Sequence, residues 1–156
     1  MRSNYSGQGC LQQGAAVVEF ALVIAIFITL LLAIMDFGRI LYVWNAAAEA
    51  TRWGARLAVV CDQSSAQIRS KMKIILPELS DANIAINWYN PEGTVNNSCD
   101  ASNCKGVEVS ITGFSVQPIS PFMGFLMPDV PASKTYLPRE SMQTTNAAGD
   151  TNPVCM

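Results

Sequence analysis

The chain has 156 residues, of which 50% are hydrophobic and only 14% charged, with 10 lysines and arginines against 12 acids for a net charge of -2. That length holds one small domain, and the scattered basic residues form no stripe of the kind a phosphate backbone needs, so no nucleic-acid partner is expected. Histidine is absent, which removes the commonest general base and the commonest metal ligand together.

The first element is an apolar run. From Ala15 to Met35 the sequence reads AAVVEFALVIAIFITLLLAIM, 21 residues with one charge, and at about 1.5 Å per residue it matches the roughly 30 Å of bilayer hydrocarbon. It is longer than the apolar core of a secretory signal, about 7–15 residues. It also ends in Leu32-Ala33-Ile34-Met35-Asp36, a poor small-x-small cleavage site. Its one charge is Glu19. A carboxylate at mid-membrane costs on the order of 2.5–3.5 kcal/mol on insertion scales and less near the interface, so it calls for a partner. A cut between Gly14 and Ala15 creates one, because the new Ala15 amine is a cation that can neutralise Glu19 of a neighbouring subunit. The plainer alternative is a glutamate that reaches up to headgroup water.

Beyond Asp36 the chain has no proline and two glycines up to Val60, and Phe37, Ile40, Leu41, Trp44, Ala47, Ala48 and Leu57 keep helical spacing. One helix is therefore predicted from Ala15 to Val60, about 70 Å long, with an amphipathic outer half. Ala46, Ala50, Gly54 and Ala58 place a small residue at every fourth position, which lets a second backbone approach closely. That face is covered either by the chain's own sheet or by another subunit. Glu49 and Arg52 read as a solvated i,i+3 pair, and Trp44 and Trp53 as packing residues.

Cys61-Asp62-Gln63-Ser64-Ser65 breaks the helix, and Ser64 or Ser65 is placed to cap a second one that ends before Pro77. Residues 82–89 and 106–114 read as strands, the second alternating Val107, Val109 and Ile111 with Glu108, Ser110 and Thr112. Between them lies a turn-rich stretch, 90–105. Four prolines between 117 and 131 flank the apolar run Phe122 to Met127, which argues against a strand there. It reads as a loop folded over the core, or else as a contact loop. Residues 134–142 suggest a third strand, and the stretch from Thr144 onward a loose tail.

Cys10 lies before Gly14; Cys61, Cys99, Cys104 and Cys155 form an even set beyond the apolar run, which suits disulfides in an oxidising compartment. Four cysteines allow three pairings. Local pairing of Cys99 with Cys104 leaves Cys61 with Cys155, a bond that ties the tail to the top of the long helix. Zinc is disfavoured, since no C-x-x-C pair or histidine exists. Asp81, Glu92 and Asp100 are the carboxylates an enzyme reading would use, but nothing sets a base beside a nucleophile and there is no Gly-rich phosphate cradle. No enzyme activity, metal or cofactor is expected.

Gly14-Ala15-Ala16-Val17-Val18-Glu19-Phe20 resembles the type IV prepilin cleavage motif, with glycine before the cut and glutamate fifth after it. The continuation through Glu19-Phe20-Ala21-Leu22-Val23, then Asp36-Phe37-Gly38-Arg39, then Ala46-Ala47-Ala48-Glu49-Ala50 with Gly54-Ala55-Arg56, is similar to the TadE-like family from residue 14 to about residue 60. The resemblance implies a minor pilin-like subunit that serves assembly of adhesive tight-adherence pili. It further implies a leader removed by a prepilin peptidase after Gly14, with recognition or packing roles for Glu19 and Phe20. Other pilins, the assembly platform and the membrane are then its partners. The leader departs from the usual pattern, since Arg2 is its only basic residue.

The fold class expected is α+β, a long transmembrane helix continuing as a spine packed against a small antiparallel sheet. The expected organisation is a leader over 1–14, a membrane segment over 15–35, a helical continuation over 36–60, a small domain over 61–143 and a tail over 144–156. Arg2 against Arg39, Arg52 and Arg56 does not favour a cytoplasmic N-terminus. The cysteines and the resemblance place the C-terminal part outside a bacterial inner membrane. An uncleaved, singly anchored binding module is the competing function.

Overall fold

The computed structural model describes residues 9–63, 65–120, 130–131, 133–145 and 148–155, with 9–13 as backbone. Its first element, α1 (Gly9–Ala58), is a single helix of 50 residues, about 75 Å long. It begins before the expected Ala15, because Leu11, Gln12 and Gln13 are good helix formers and nothing interrupts the pattern ahead of Gly14. It ends at Ala58, short of the expected Val60, where the last turn tightens: the Val60 N–H donates to the Leu57 carbonyl at 3.1 Å.

Two environments divide α1. Every side chain from Gly14 to Leu31 is exposed, and this is the one helix among the described residues long and apolar enough to cross a membrane. From Asp36 onward one face turns inward, and Val43, Ala46, Ala47, Ala50, Ala55, Leu57 and Ala58 are buried. Helix α2 (Ala66–Ile75) lays Ile68 and Met72 into the same core. Ser65 holds its N-cap position, yet its side chain makes no capping hydrogen bond; Ser64, the other candidate cap, lies outside the described residues.

Three strands, β1 (Ile84–Tyr89), β2 (Gly106–Ile111) and β3 (Ser133–Pro138), form an antiparallel sheet in the order β1-β2-β3. Ile84 pairs with Ile111 and Tyr89 with Gly106; Gly106 in turn pairs with Pro138 and Ile111 with Ser133. Val107, Val109 and Ile111, at alternate positions and therefore on one face, are almost fully buried. The sheet covers the outer half of α1, with β2 and β3 both packed against it. All three strands are shorter than expected at one end or the other. A short 3-10 turn, Asp81–Asn83, precedes β1. β2 stops before Gly113, whose φ of 63° is a left-handed conformation that does not continue a strand. β3 ends at Pro138, and one further bond follows it, the Arg139 amide donating to the Lys105 carbonyl at 2.9 Å. The architecture is α+β, a long apolar N-terminal helix with a small three-stranded antiparallel sheet.

Two disulfides close the domain. Cys61 is bonded to Cys155, with Cα atoms 5.5 Å apart, and Cys99 to Cys104, with Cα atoms 5.2 Å apart. The tail is held by more than its disulfide. The Met142 and Gln143 amides donate to the Val59 and Val60 carbonyls at 3.0 and 2.9 Å, and the Asn152 amide donates to the Thr144 carbonyl at 2.8 Å. The apolar run Phe122 to Met127, expected to fold over the core, lies outside the described residues, as do residues 1–8 of the expected leader.

Candidate functional site

Gly14, Ala15, Glu19 and Phe20 all sit on the exposed apolar length of α1, and the helix runs without a break across the Gly14–Ala15 junction. A Cβ at Gly14 would meet nothing within 4 Å, so no packing requirement of the described chain explains the glycine. Glu19 is exposed and has no ion-pair partner among the described residues. Phe20, 67% exposed, stands beside it.

At the other end of the apolar stretch the chain builds a clasp. Asp36 is 1% exposed, and its two carboxylate oxygens accept the backbone N–H groups of Ile119 at 2.7 Å and Ser120 at 3.0 Å. A buried carboxylate survives only when such donors replace water, and charged acceptors make these bonds stronger than neutral ones. One turn later the Arg39 guanidinium donates to the Gln117 carbonyl at 2.7 Å and to the Glu78 carboxylate at 2.9 Å. The Asp36-Phe37-Gly38-Arg39 stretch thus fastens residues 117–120 and the end of the α2 connection to the foot of the spine. A charge that closes an apolar run looks like a plain membrane boundary in the sequence, and its partners lie 83 and 84 residues away. The only sequence signal for the clasp is the pairing of an acid and a base one turn apart at that boundary.

The stripe Ala46, Ala50, Gly54 and Ala58 is buried within the chain. A Cβ on Gly54 would lie 2.6 Å from Met72 Sδ and 3.2 Å from Val109 Cγ1, so α2 and β2 already occupy the groove this stripe provides. Large apolar side chains remain exposed along α1, among them Phe20, Phe27, Leu31, Met35, Tyr42 and Trp53. Their spacing keeps them on one helical face. The Arg56 guanidinium lies 5.8 Å from the Trp53 ring, and Glu49 and Arg52 form an exposed pair at 3.5 Å. Trp44 packs against the core with its indole nitrogen buried.

Two of the three carboxylates that an enzyme reading would use have structural partners. Asp81 is held below the ordinary carboxylate range chiefly by its hydrogen bond with Lys73, and Asp100 by the Ser102 hydroxyl together with the Ser102 amide. Both are therefore kept charged, the opposite of what a general acid needs. Glu92 is exposed in the turn after β1. A cleft of about 550 Å³ lies beside the Cys99–Cys104 bond, lined by Asp62, Gln63, Asp100, Ser102 and Gln143 among others; the Ser102 hydroxyl donates to Asp100 within the 100–103 turn, whose Ser102 and Asn103 amides bond the same carboxylate oxygen. Among the described residues no group of three or more His, Cys, Asp or Glu side chains is placed to hold a metal ion.

Residues 14–56 match the family described as TadE-like protein. The match opens on Gly14 and takes in Glu19, Phe20, the Asp36 and Arg39 clasp and most of the small-residue stripe. No curated protein and no solved structure matches the chain. The matched stretch covers most of α1, the helix that is long and apolar enough to cross a membrane. From Gly14 to Arg56, the apolar helix and the part of the spine that carries the clasp, the chain is similar to the TadE-like family.

Proposed function

We propose that the chain is a minor pilin-like subunit of a tight-adherence pilus system, cut between Gly14 and Ala15 by a prepilin peptidase and acting in pilus assembly rather than as an enzyme. The observation that carries the reading is Glu19. It is a carboxylate on an otherwise apolar, exposed helix, without a partner among the described residues and five positions after Gly14. Cleavage creates the missing cation, and helices packed side by side in the membrane bring the Ala15 amine of one subunit to Glu19 of the next. The small-residue stripe is already filled by α2 and β2, so other pilins meet the apolar side chains left exposed along α1, from Phe20 to Trp53. In this reading the subunit resides in the bacterial inner membrane with its sheet outside, where Cys61–Cys155 and Cys99–Cys104 form. Its partners are the peptidase, other pilins and the assembly platform.

One feature favours the competing reading, an uncleaved anchored module: α1 is unbroken across the Gly14–Ala15 bond, and a helical peptide must unwind before a peptidase can take it. N-terminal sequencing of the protein from its native membrane decides. A mature chain starting at Ala15 supports the pilin-like subunit, and a chain retaining Met1 removes it.

A further inference from the structure

Asp36 is the first residue after the apolar run, and the 21 residues from Ala15 to Met35 rise about 31 Å, the thickness of the hydrocarbon core. With α1 as the anchor, the Asp36 carboxylate lies where hydrocarbon gives way to headgroups. Whatever is bonded directly to it shares that depth. The Ile119 and Ser120 amides are so bonded, at 2.7 and 3.0 Å, and two donors on one carboxylate fix both the height and the orientation of the segment. Within it the two side chains part company: Ser120 is 4% exposed while Ile119 is 58% exposed. On α1 itself Phe37, adjacent to Asp36, is exposed as well. The charged groups of the neighbourhood satisfy one another, since Arg39 is taken up by Gln117 and Glu78. What faces outward at this level is one large aliphatic and one aromatic side chain on two separate segments. Aromatic rings and apolar side chains are stabilised at the boundary between acyl chains and headgroups.

We infer that Ile119 is a second membrane contact: the segment 117–120 rests in the outer boundary of the bilayer beside α1, together with Phe37, and the Asp36 clasp holds it there. This rests on α1 being a membrane anchor with the sheet outside. The occupant is lipid rather than another subunit, because the level is set by where the apolar run stops and the surface is continuous with the lipid-facing length of α1.

The test uses the full chain in nanodiscs of phosphatidylethanolamine and phosphatidylglycerol, with photoreactive benzoylphenylalanine replacing Ile119, Phe37, Phe27 or Tyr136 one at a time. Lipid adducts are weighed by mass spectrometry after irradiation. Tyr136 is the control that faces water: its neighbour Thr135 meets Thr51 at 3.2 Å, which sets it about 22 Å along α1 from Asp36. Several-fold more lipid adduct at Ile119 than at Tyr136 is expected, with a several-fold drop at Ile119 but not at Phe37 when Asp36→Ala is added. Should Asp36→Ala fail to form its disulfides, the labelling at Ile119 with Asp36 intact still decides. Adducts at Phe27 and Phe37 with none at Ile119 would overturn the inference and leave the anchor standing. Absence of lipid at Phe27 would remove the anchor beneath it. An Ile119 adduct with a second protein chain instead of lipid would replace the bilayer by a subunit contact.

Discussion

Replacing Gly54 by alanine sets a methyl carbon 2.6 Å from Met72 Sδ, 3.0 Å from Met72 Cγ and 3.2 Å from Val109 Cγ1. Met72 and Val109 are fully buried, so neither can swing into solvent, and Val109 is stiff about its one side-chain torsion. Overpacking of this kind costs about 1–3 kcal/mol. Alanine returns about 1 kcal/mol of helix propensity, which leaves a net loss of roughly 0–2 kcal/mol, and Gly54→Leu adds three more carbons with no space to enter. Gly38, on the same helix, is the internal control: a Cβ there meets nothing within 4 Å, so Gly38→Ala should gain stability by up to about 1 kcal/mol. The assay is urea unfolding of the full chain in detergent with its disulfides intact, followed by tryptophan fluorescence, to which the 4%-exposed Trp88 contributes. A Gly54→Leu protein with an unchanged midpoint would refute the packing of α2 and β2 into the small-residue groove. It would free that face for another subunit.

Three further outcomes are expected. Asp36→Ala strands the buried Ser120 amide, at about 1–3 kcal/mol for a buried group left unpaired, and frees the part-buried Ile119 amide, so it should raise hydrogen exchange at 119 and 120 well above that of β2. Asp36→Asn, which keeps one acceptor oxygen, should do so less. Removing the Cys61–Cys155 bond with serine at both positions opens a loop with a sequence separation of 94, for which chain entropy gives about 4.7 kcal/mol; a urea midpoint unmoved by the double substitution would show that the tail hydrogen bonds alone hold the end of the chain. Glu19→Val should leave membrane insertion intact or improved while lowering co-purification with partner pilins, and undiminished co-purification would take away the proposed role of Glu19.

The elements were legible where the pattern was local. The apolar run and its helical continuation predict α1, the alternation of Val107, Val109 and Ile111 predicts β2, and the local pairing of Cys99 with Cys104, one of three the sequence leaves open, is the one the structure makes. Strand ends were less legible, because a pattern of residue types does not register that Gly113 turns left-handed. The small-residue stripe was readable as a close approach, but which surface approaches depends on Met72 and Val109, and no periodicity within α1 encodes them. Least legible was the clasp. Its acceptor is a side chain on α1 and its donors are backbone amides, which every residue but proline possesses, so the sequence around Ile119 and Ser120 carries no mark of it.

The spine is fastened to the sheet domain at both ends, by Asp36 and Arg39 at its foot and by the Met142 and Gln143 amides at its top. Between Asp36 and Ala58 the helix is unbroken, about 33 Å of it. With α1 as a membrane anchor, no joint separates its apolar length from the part that carries the sheet. The outer half is therefore a lever arm, and a lean of about 20° of the anchor, ordinary for a transmembrane helix, carries the far end of the sheet sideways by about 11 Å. Anything that alters the lean of this helix would thereby move a surface at the far end of the sheet, without any rearrangement inside the domain.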